Sequence, residues 1–339
     1  MKAIVYAVTG EPGVLRLTER AIPEPGPGEV RVKVTVSAVN PTDWKSRRGD
    51  GPGKPVAFPE QVPNQDGAGV VDAVGPDTRL TVGQPVWLWD SAYQRPGGTA
   101  QEYLVIPERH AVPLPQGISF DVGADLGVPA RTAHRALTIA DEGPARLAPG
   151  ALDGKKVLVA GGAGAVGNAA IQLARWAGAE VLTTISGPEK AELARAAGAH
   201  HIINYRTEDA AEAIRAIAPN GVDIIVEVAL AANAALDQKV IAPNGTIAAY
   251  TTDGGDTVTL DIRPLMFLNT RYHFVLIYTM PEAAKDAAAE DITAALADGA
   301  FRVGEDAGLP LHRFPLEKAA DAHAAVESGV VGKVVIDLG

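Results

Sequence analysis

Glycines at positions 162, 164 and 167 follow the apolar run Lys156–Ala160 and precede the helix-prone stretch Val166–Trp176. Read as Gly162-Ala163-Gly164-Ala165-Val166-Gly167, they carry the spacing G-x-G-x-x-G. In that pattern one glycine lets a strand turn sharply into a helix. A second lets a pyrophosphate approach the backbone, and a third lets helix and strand pack closely. The free N–H groups and partial positive charge of the helix N-terminus then face the diphosphate. Gly-rich turns are common and often only structural. Here the order strand, glycines, helix, and then Glu180–Ile185 as a further strand points to dinucleotide binding.

The end of that second strand decides which dinucleotide. A site for NAD usually places Asp or Glu there to bond the ribose 2′-hydroxyl. This chain has Ser186-Gly187-Pro188-Glu189-Lys190, and Glu180 lies at the wrong end of the strand. Ser186 can donate a hydrogen bond and Lys190 can set a charge beside a 2′-phosphate, so NADPH is expected over NADH. Glu189 is the competing feature, and Lys190 taken alone is equally a solvated helix lysine.

Other chemistries are excluded by composition. The chain has no cysteine, which removes disulfides, thiolate zinc sites and cysteine nucleophiles. Its seven histidines show no His-Glu-x-x-His spacing. With a net charge of -11 and no basic cluster it lacks the face that tracks nucleic acid. The N-terminus shows no signal peptide, and no apolar run approaches the roughly 20 residues that span a bilayer. A soluble, cytoplasmic protein is expected.

The elements that must position these residues fall into two textures. Ala3–Ala7, Val30–Ala38, Gly69–Val74, Val86–Trp89 and Tyr103–Ile106 are short strands punctuated by Pro and Gly, too close together for crossover helices, so an antiparallel, barrel-like unit is expected. From about residue 128, strands at 156–160, 181–185, 201–204, 222–228 and 246–250 alternate with helices, which requires a parallel sheet with right-handed crossovers. The expected division is a β-rich unit of residues 1–127 and 271–339 around a dinucleotide unit of residues 128–270. Helices at 281–298 and 316–328 and a last strand at 333–338 are assigned to the β-rich unit.

With these residues in view, the chain resembles the zinc-free, zeta-crystallin-like quinone oxidoreductases of the medium-chain dehydrogenase/reductase superfamily. The likeness runs through Met1-Lys2-Ala3-Ile4, Pro25-Gly26-Pro27-Gly28-Glu29-Val30, Ala38-Val39-Asn40-Pro41-Thr42-Asp43 and Gly97-Gly98-Thr99-Ala100-Gln101-Glu102-Tyr103. It continues through the phosphate loop, Ala197-Gly198-Ala199, Ile203-Asn204-Tyr205-Arg206 and Gly332-Lys333-Val334-Val335. The resemblance implies a GroES-like catalytic domain, a Rossmann cofactor domain and a cleft between them. It implies that Ala163, Gly164, Ala165 and Val166 line the diphosphate and that Lys190 and Tyr205 meet the 2′-phosphate region beside Ser186 and Gly187. Tyr250 and Thr251 would lie near the nicotinamide ribose. It also implies a homodimer or homotetramer paired through cofactor-domain edges, for which His273–Tyr278 is the candidate edge. Zinc-dependent relatives carry Gly-His-Glu where this chain has Asn64-Gln65-Asp66, so no metal site is expected.

Without a metal, an alkoxide is hard to stabilise, whereas a quinone or an activated alkene delocalises incoming charge itself. The expected activity is hydride transfer from NADPH to a quinone, with reduction of the C=C bond of conjugated enones or enals as the alternative. A non-catalytic NADPH-binding protein is a more distant one. Asn40 could hold a substrate carbonyl or merely cap the turn that begins at Asn-Pro. Lys45, where the family pattern has Tyr, could donate to an enolate oxygen, or belong with Arg47 and Arg48 to a basic surface run. Thr132 could meet the nicotinamide amide or substrate, or serve as a helix N-terminal cap. Trp87, Trp89 and Tyr93 read as core or cleft-wall aromatics, with core preferred.

Overall fold

Val30, Val32, Val34 and Val36 alternate with Arg31, Lys33 and Thr35, which gives an extended chain one apolar and one polar face. In the computed structural model, which describes all 339 residues, this run lies within one eleven-residue strand. It follows a hairpin-like pair, β1 (Lys2–Val5) and β2 (Arg16–Glu19), and is numbered β3 (Glu29–Val39). Then come helix α1 (Pro41–Arg48), β4 (Asp66–Val74), β5 (Pro85–Leu88), β6 (Tyr103–Pro107), β7 (Ala111–Pro113) and the single turn α2 (Phe120–Gly123). β3 pairs antiparallel with both β4 and β6, β4 with β5, and β5 with β7. Val30, Val32 and Val34 pack with Val71, Leu80, Val86, Leu88, Leu104 and Ile106, and Val36 with Ala38, Ala124 and Val335. Each such buried Val, Leu or Ile side chain contributes about 1.5–3 kcal/mol.

The texture then changes as the periodicity does. Helix α3 (Arg131–Thr138) leads to β8 (Lys156–Ala160), α4 (Ala165–Trp176), β9 (Glu180–Ile185), α5 (Pro188–Ala197) and β10 (His201–Asn204). Next are α6 (Ala210–Ile217), β11 (Val222–Glu227), α7 (Leu230–Val240), β12 (Ile241–Ala249), α8 (Ile262–Leu268), β13 (Arg271–Phe274) and α9 (Glu282–Ala297). The six strands form one wholly parallel sheet in the order β10-β9-β8-β11-β12-β13. This is the doubly wound order whose direction of winding reverses between its first and fourth strands, here β8 and β11. Ligands bind outside the carboxyl ends of the strands at such a point. No helix is long and apolar enough to cross a membrane.

Finally β14 (Leu311–Pro315), α10 (Ala319–Glu327) and β15 (Lys333–Asp337) rejoin the first sheet, with β15 antiparallel to β3. The chain thus forms two compact units, Met1–Val128 with Pro310–Gly339, and Pro129–Leu309. The return lies at residue 310 and not at 271. Residues 271–309 stay with the second unit because β13 continues the parallel register of β12, with Arg271 opposite Thr246, and because α9 packs on α3 and α4.

Candidate functional site

The Gly-rich turn lies between β8 and α4, beside the reversal point of the parallel sheet. The sharp turn is made by Gly161, whose φ of +72° lies in the left-handed region that favours glycine, so this role falls one residue before the G-x-G-x-x-G pattern. Gly162 is a packing residue: a Cβ there would lie 2.1 Å from Thr183 Oγ1 on β9. That hydroxyl in turn donates to Val159 O at 2.7 Å, clamping β8 to β9. Gly167 packs as well, since its Cβ would sit 2.4 Å from Gly161 O. Gly164 differs. A Cβ there would meet nothing nearer than Gly161 O at 3.5 Å, and its φ of -83° suits any residue. It is the N-cap of α4. The first-turn N–H groups of Ala165, Val166 and Gly167 have no partner within the helix, as at every helix start. Ala163 is buried beneath this turn. The result is a cradle of backbone donors with one glycine face left clear, a shape that accepts a diphosphate.

Ser186 and Gly187 follow β9, with Gly187 as the N-cap of α5 and Lys190 in that helix's first turn. Tyr205 follows β10, donates its N–H to Ile185 O at 3.2 Å and is half-exposed. These four residues therefore lie at the carboxyl ends of the adjacent strands β9 and β10. Tyr250 follows β12 and donates its N–H to Glu227 O at 3.2 Å. Burial first, then the carboxylates of Glu227 and Asp253, push its phenol far up, so it stays protonated. Thr251 donates its hydroxyl to Asp253 at 3.2 Å.

In the first unit the expected residues take other roles. Asn40 is 2% exposed, its amide donates to Asp66 Oδ2 at 2.7 Å, and its carbonyl oxygen accepts from Lys333 Nζ at 2.6 Å. The substrate-holding role considered for Asn40 thus gives way to a framework role. Asn40 is also the N-cap of α1, in a capping box whose return bond runs from its own N–H to Asp43 at 2.7 Å; Asp43 accepts from the N–H of Gln65 at 3.0 Å as well. Lys333 lies 3.3 Å from Asp125 and 3.8 Å from Asp66, and all three side chains are buried. Asp43, Asp66 and Asp125 thus surround a single ammonium. Burial, helped by the charge of Asp66, raises Asp43 to about 8, against the opposing pull of its hydrogen bonds and Lys333. Burial raises Asp125 to about 7 despite Lys333. Such a cluster keeps a proton near neutral pH.

Lys45 is exposed, with its ammonium 5.7 Å from the ring of Trp44. The basic surface run does not exist as such. Arg47 is fully buried, donating to Gly10 O at 3.0 Å and pairing with Glu327 at 2.5 Å. Thr132 is buried within the second unit, and the preceding Ala130 is already helical, so Thr132 is not a cap. Trp87 and Trp89 are core, as expected, and Trp89 stacks on His110 at 4.1 Å.

Known proteins agree with this geometry. A family profile described as alcohol dehydrogenase GroES-like domain matches residues 26–116, and one described as zinc-binding dehydrogenase matches residues 165–293. A quinone oxidoreductase of Rattus norvegicus is 30% identical over 343 residues, covering 99% of this chain and 97% of its own. The chain belongs to the quinone oxidoreductase branch of the medium-chain dehydrogenase/reductase family. A chloroplastic NADPH-dependent alkenal/one oxidoreductase of Arabidopsis thaliana is 34% identical over 258 residues, covering 74% of this chain and 62% of its own. Among solved structures, an NAD-dependent alcohol dehydrogenase aligns over 100% of both chains, with 28% identity and a TM-score of 0.86.

The second profile's description raises zinc, and the residues present do not fit it. Cysteine is absent, and no three His, Asp or Glu side chains converge as a ligand set. Asp66 lies in the segment where zinc-dependent relatives carry a ligand, and its carboxylate already receives the Asn40 amide and the N–H of Val128 at 2.8 Å. Lys333 supplies the cation there.

Proposed function

We propose that this chain is an NADPH-dependent reductase that delivers hydride to a quinone without a metal ion. The observation that carries this is the clear face of Gly164 at the N-terminus of α4, beside the reversal point of the sheet. Ala163, Gly164, Ala165 and Val166 hold the diphosphate, with Gly162 and Gly167 keeping helix and strands close enough to do so. Ser186, Gly187, Lys190 and Tyr205 receive the 2′-phosphate, and Tyr250 and Thr251 the nicotinamide ribose. When bound, NADPH supplies the hydride. The protein's contribution is positioning, which suffices for acceptors whose conjugated systems spread the incoming charge. Thr132 orients the nicotinamide amide or the acceptor.

Cofactor choice rests on Lys190. Lys190→Ala should lower kcat/KM for NADPH about tenfold, the loss of one charged contact of about 1.4 kcal/mol, and leave NADH nearly unchanged. Equal losses with both cofactors would remove Lys190 from the phosphate site.

Reduction of a conjugated C=C bond is the second reading. It is favoured by the alkenal/one oxidoreductase relative and by the exposed ammonium of Lys45, which can donate to a developing enolate oxygen. Initial rates with a benzoquinone and a 2-alkenal, for the wild type and Lys45→Met, separate the two. Turnover of alkenal that falls in the variant while quinone turnover holds assigns Lys45 to the enolate; quinone turnover alone leaves it incidental.

We further propose that the chain forms a homodimer through β13, the edge strand of the parallel sheet. Phe274 is 74% exposed and Phe267 75%, with Met266, Ile262 and Leu276 exposed nearby in sequence. An unpaired edge carrying large apolar side chains is a surface that soluble proteins cover. Phe274→Asp should therefore sediment as a monomer where the wild type does not; an unchanged sedimentation coefficient would rule this edge out.

A further inference from the structure

Glu227 is the last residue of β11, and both it and Asp237 of α7 are at most 1% exposed. The two carboxyl groups lie within hydrogen-bonding reach of each other. Glu227 spends one oxygen, Oε1, on the N–H of Ala229 and on the amide of Asn233 at 2.9 Å. Its other oxygen, Oε2, and Asp237 Oδ2 are buried and receive no donor from the protein. The titratable groups that face the pair are acidic or phenolic: Tyr250 faces Glu227, with Asp253 behind it, and Tyr272 of β13 faces Asp237. The largest influences on either carboxyl include no lysine, arginine or histidine.

Two carboxylates in contact, away from water and from any cation, cannot both be ionised; a proton between them supplies the missing donor. Burial, above all, raises both groups; the charge and hydrogen bond of Glu227 raise Asp237 further, whereas the bond from Asp237 pulls Glu227 back down. They titrate as one unit.

The turn that Glu227 anchors has a second role. Val228 packs on the phosphate loop, since a Cβ on Gly161 would lie 3.3 Å from its Cγ1. Ala229 and Ala232 pack on Gly254, just beyond Tyr250 and Thr251, where a Cβ would lie 3.6 and 3.2 Å from theirs. The turn thus bridges the two segments assigned above to the diphosphate and to the nicotinamide ribose.

We propose that Glu227 and Asp237 share one proton and act as a positioning pair, holding the β11–α7 turn in register with the phosphate loop. Neither touches the cofactor. The positioning role rests on the NADPH reading given above, whereas the shared proton stands without it. A raised carboxyl favours the folded state below its titration and loses that contribution as pH rises through it. Deprotonation therefore sets two charges against each other, pushes α7 from β11 and loosens the turn.

The test combines infrared spectroscopy in heavy water with NADPH affinity across pH, on the whole chain. The wild type should show, above the acid absorption of the Asp43–Asp125 cluster, the carbonyl stretch of a further buried carboxylic acid, lost on alkaline titration, with a parallel fall in NADPH affinity. In Asp237→Asn the amide donates permanently to Glu227. That acid band should vanish, affinity at neutral pH should stay within about threefold of wild type, and the alkaline fall should flatten. Glu227→Gln should behave alike, since it too keeps the donor. Asp237→Leu, which leaves Glu227 Oε2 without one, should bind NADPH at least about tenfold more weakly. An acid band unchanged in both amide variants would overturn the shared proton. A band that vanishes while the alkaline fall persists undiminished would overturn the positioning role. A wild type that binds no NADPH at neutral pH defeats the cofactor reading and the positioning role together, while the infrared result still decides the proton.

Discussion

Lys333→Met should cost the first unit about 3–5 kcal/mol at neutral pH, the usual loss on breaking a buried ion pair from one side. The ammonium contacts Asn40, Asp125 and Asp66 at 2.6, 3.3 and 3.8 Å, and all four side chains are buried. Its removal leaves carboxylates buried without a counter-charge. The penalty should shrink in mild acid, and the sign follows from the raised groups. Asp43 and Asp125 titrate near 8 and 7 in the folded protein. Their ordinary range is near 4, so the native state holds more protons than the unfolded chain between these values. Stability contributed by these protons is full below the unfolded range and is lost as pH rises through about 7 and about 8. Urea unfolding of wild type and Lys333→Met at pH 5.5 and pH 8.5 checks this. A loss under about 1 kcal/mol at the higher pH, or an equal loss at both, would mean that Lys333 is not the counter-ion of the cluster.

Gly164→Val should leave the fold intact and weaken NADPH binding on the order of 100-fold, about 2.8 kcal/mol. The open space beside Gly164 and its extended backbone allow a side chain without strain. Apart from the modest cost of a less favoured N-cap residue, its effect falls on a ligand that must approach the backbone. Gly167→Ala should behave in the opposite way. Its Cβ would press to 2.4 Å from Gly161 O, and neither backbone can yield without parting α4 from the turn. Thermal unfolding and NADPH fluorescence, measured on both variants, separate packing from access. Wild-type affinity in Gly164→Val would show that the diphosphate lies elsewhere.

Much of this was legible in the chain itself. The parallel sheet follows from short apolar runs alternating with helical stretches, and five of its six strands fall where the pattern predicts them. The sixth, Arg271–Phe274, is only four residues long and mixes polar with aromatic side chains, so its signal is weak and the unit boundary is misplaced by it. The G-x-G-x-x-G pattern locates the cradle, but assigns the sharp turn to the wrong glycine, because a positive φ leaves no trace in residue type when two glycines are adjacent. The Asn-Pro signal at Asn40 reports a turn correctly and says nothing of the amide's partners. These come from residues 26 and 293 positions away, Asp66 and Lys333. Charges at the ends of apolar runs, Glu227 after Ile224–Val226 and Lys333 before Val334–Ile336, are a signal that marks both buried clusters. Such a residue needs a buried partner, but spacing alone does not name it.

The central claim, metal-free reduction driven by NADPH, is tested most directly by one rate. Protein stripped with a strong chelator and verified free of zinc is mixed with NADPH and a benzoquinone, and NADPH oxidation is followed beside an NADH control. Undiminished turnover after chelation, with NADPH clearly preferred, is the result predicted here. Turnover that disappears on chelation and returns with added zinc, or NADH serving equally well, would contradict it.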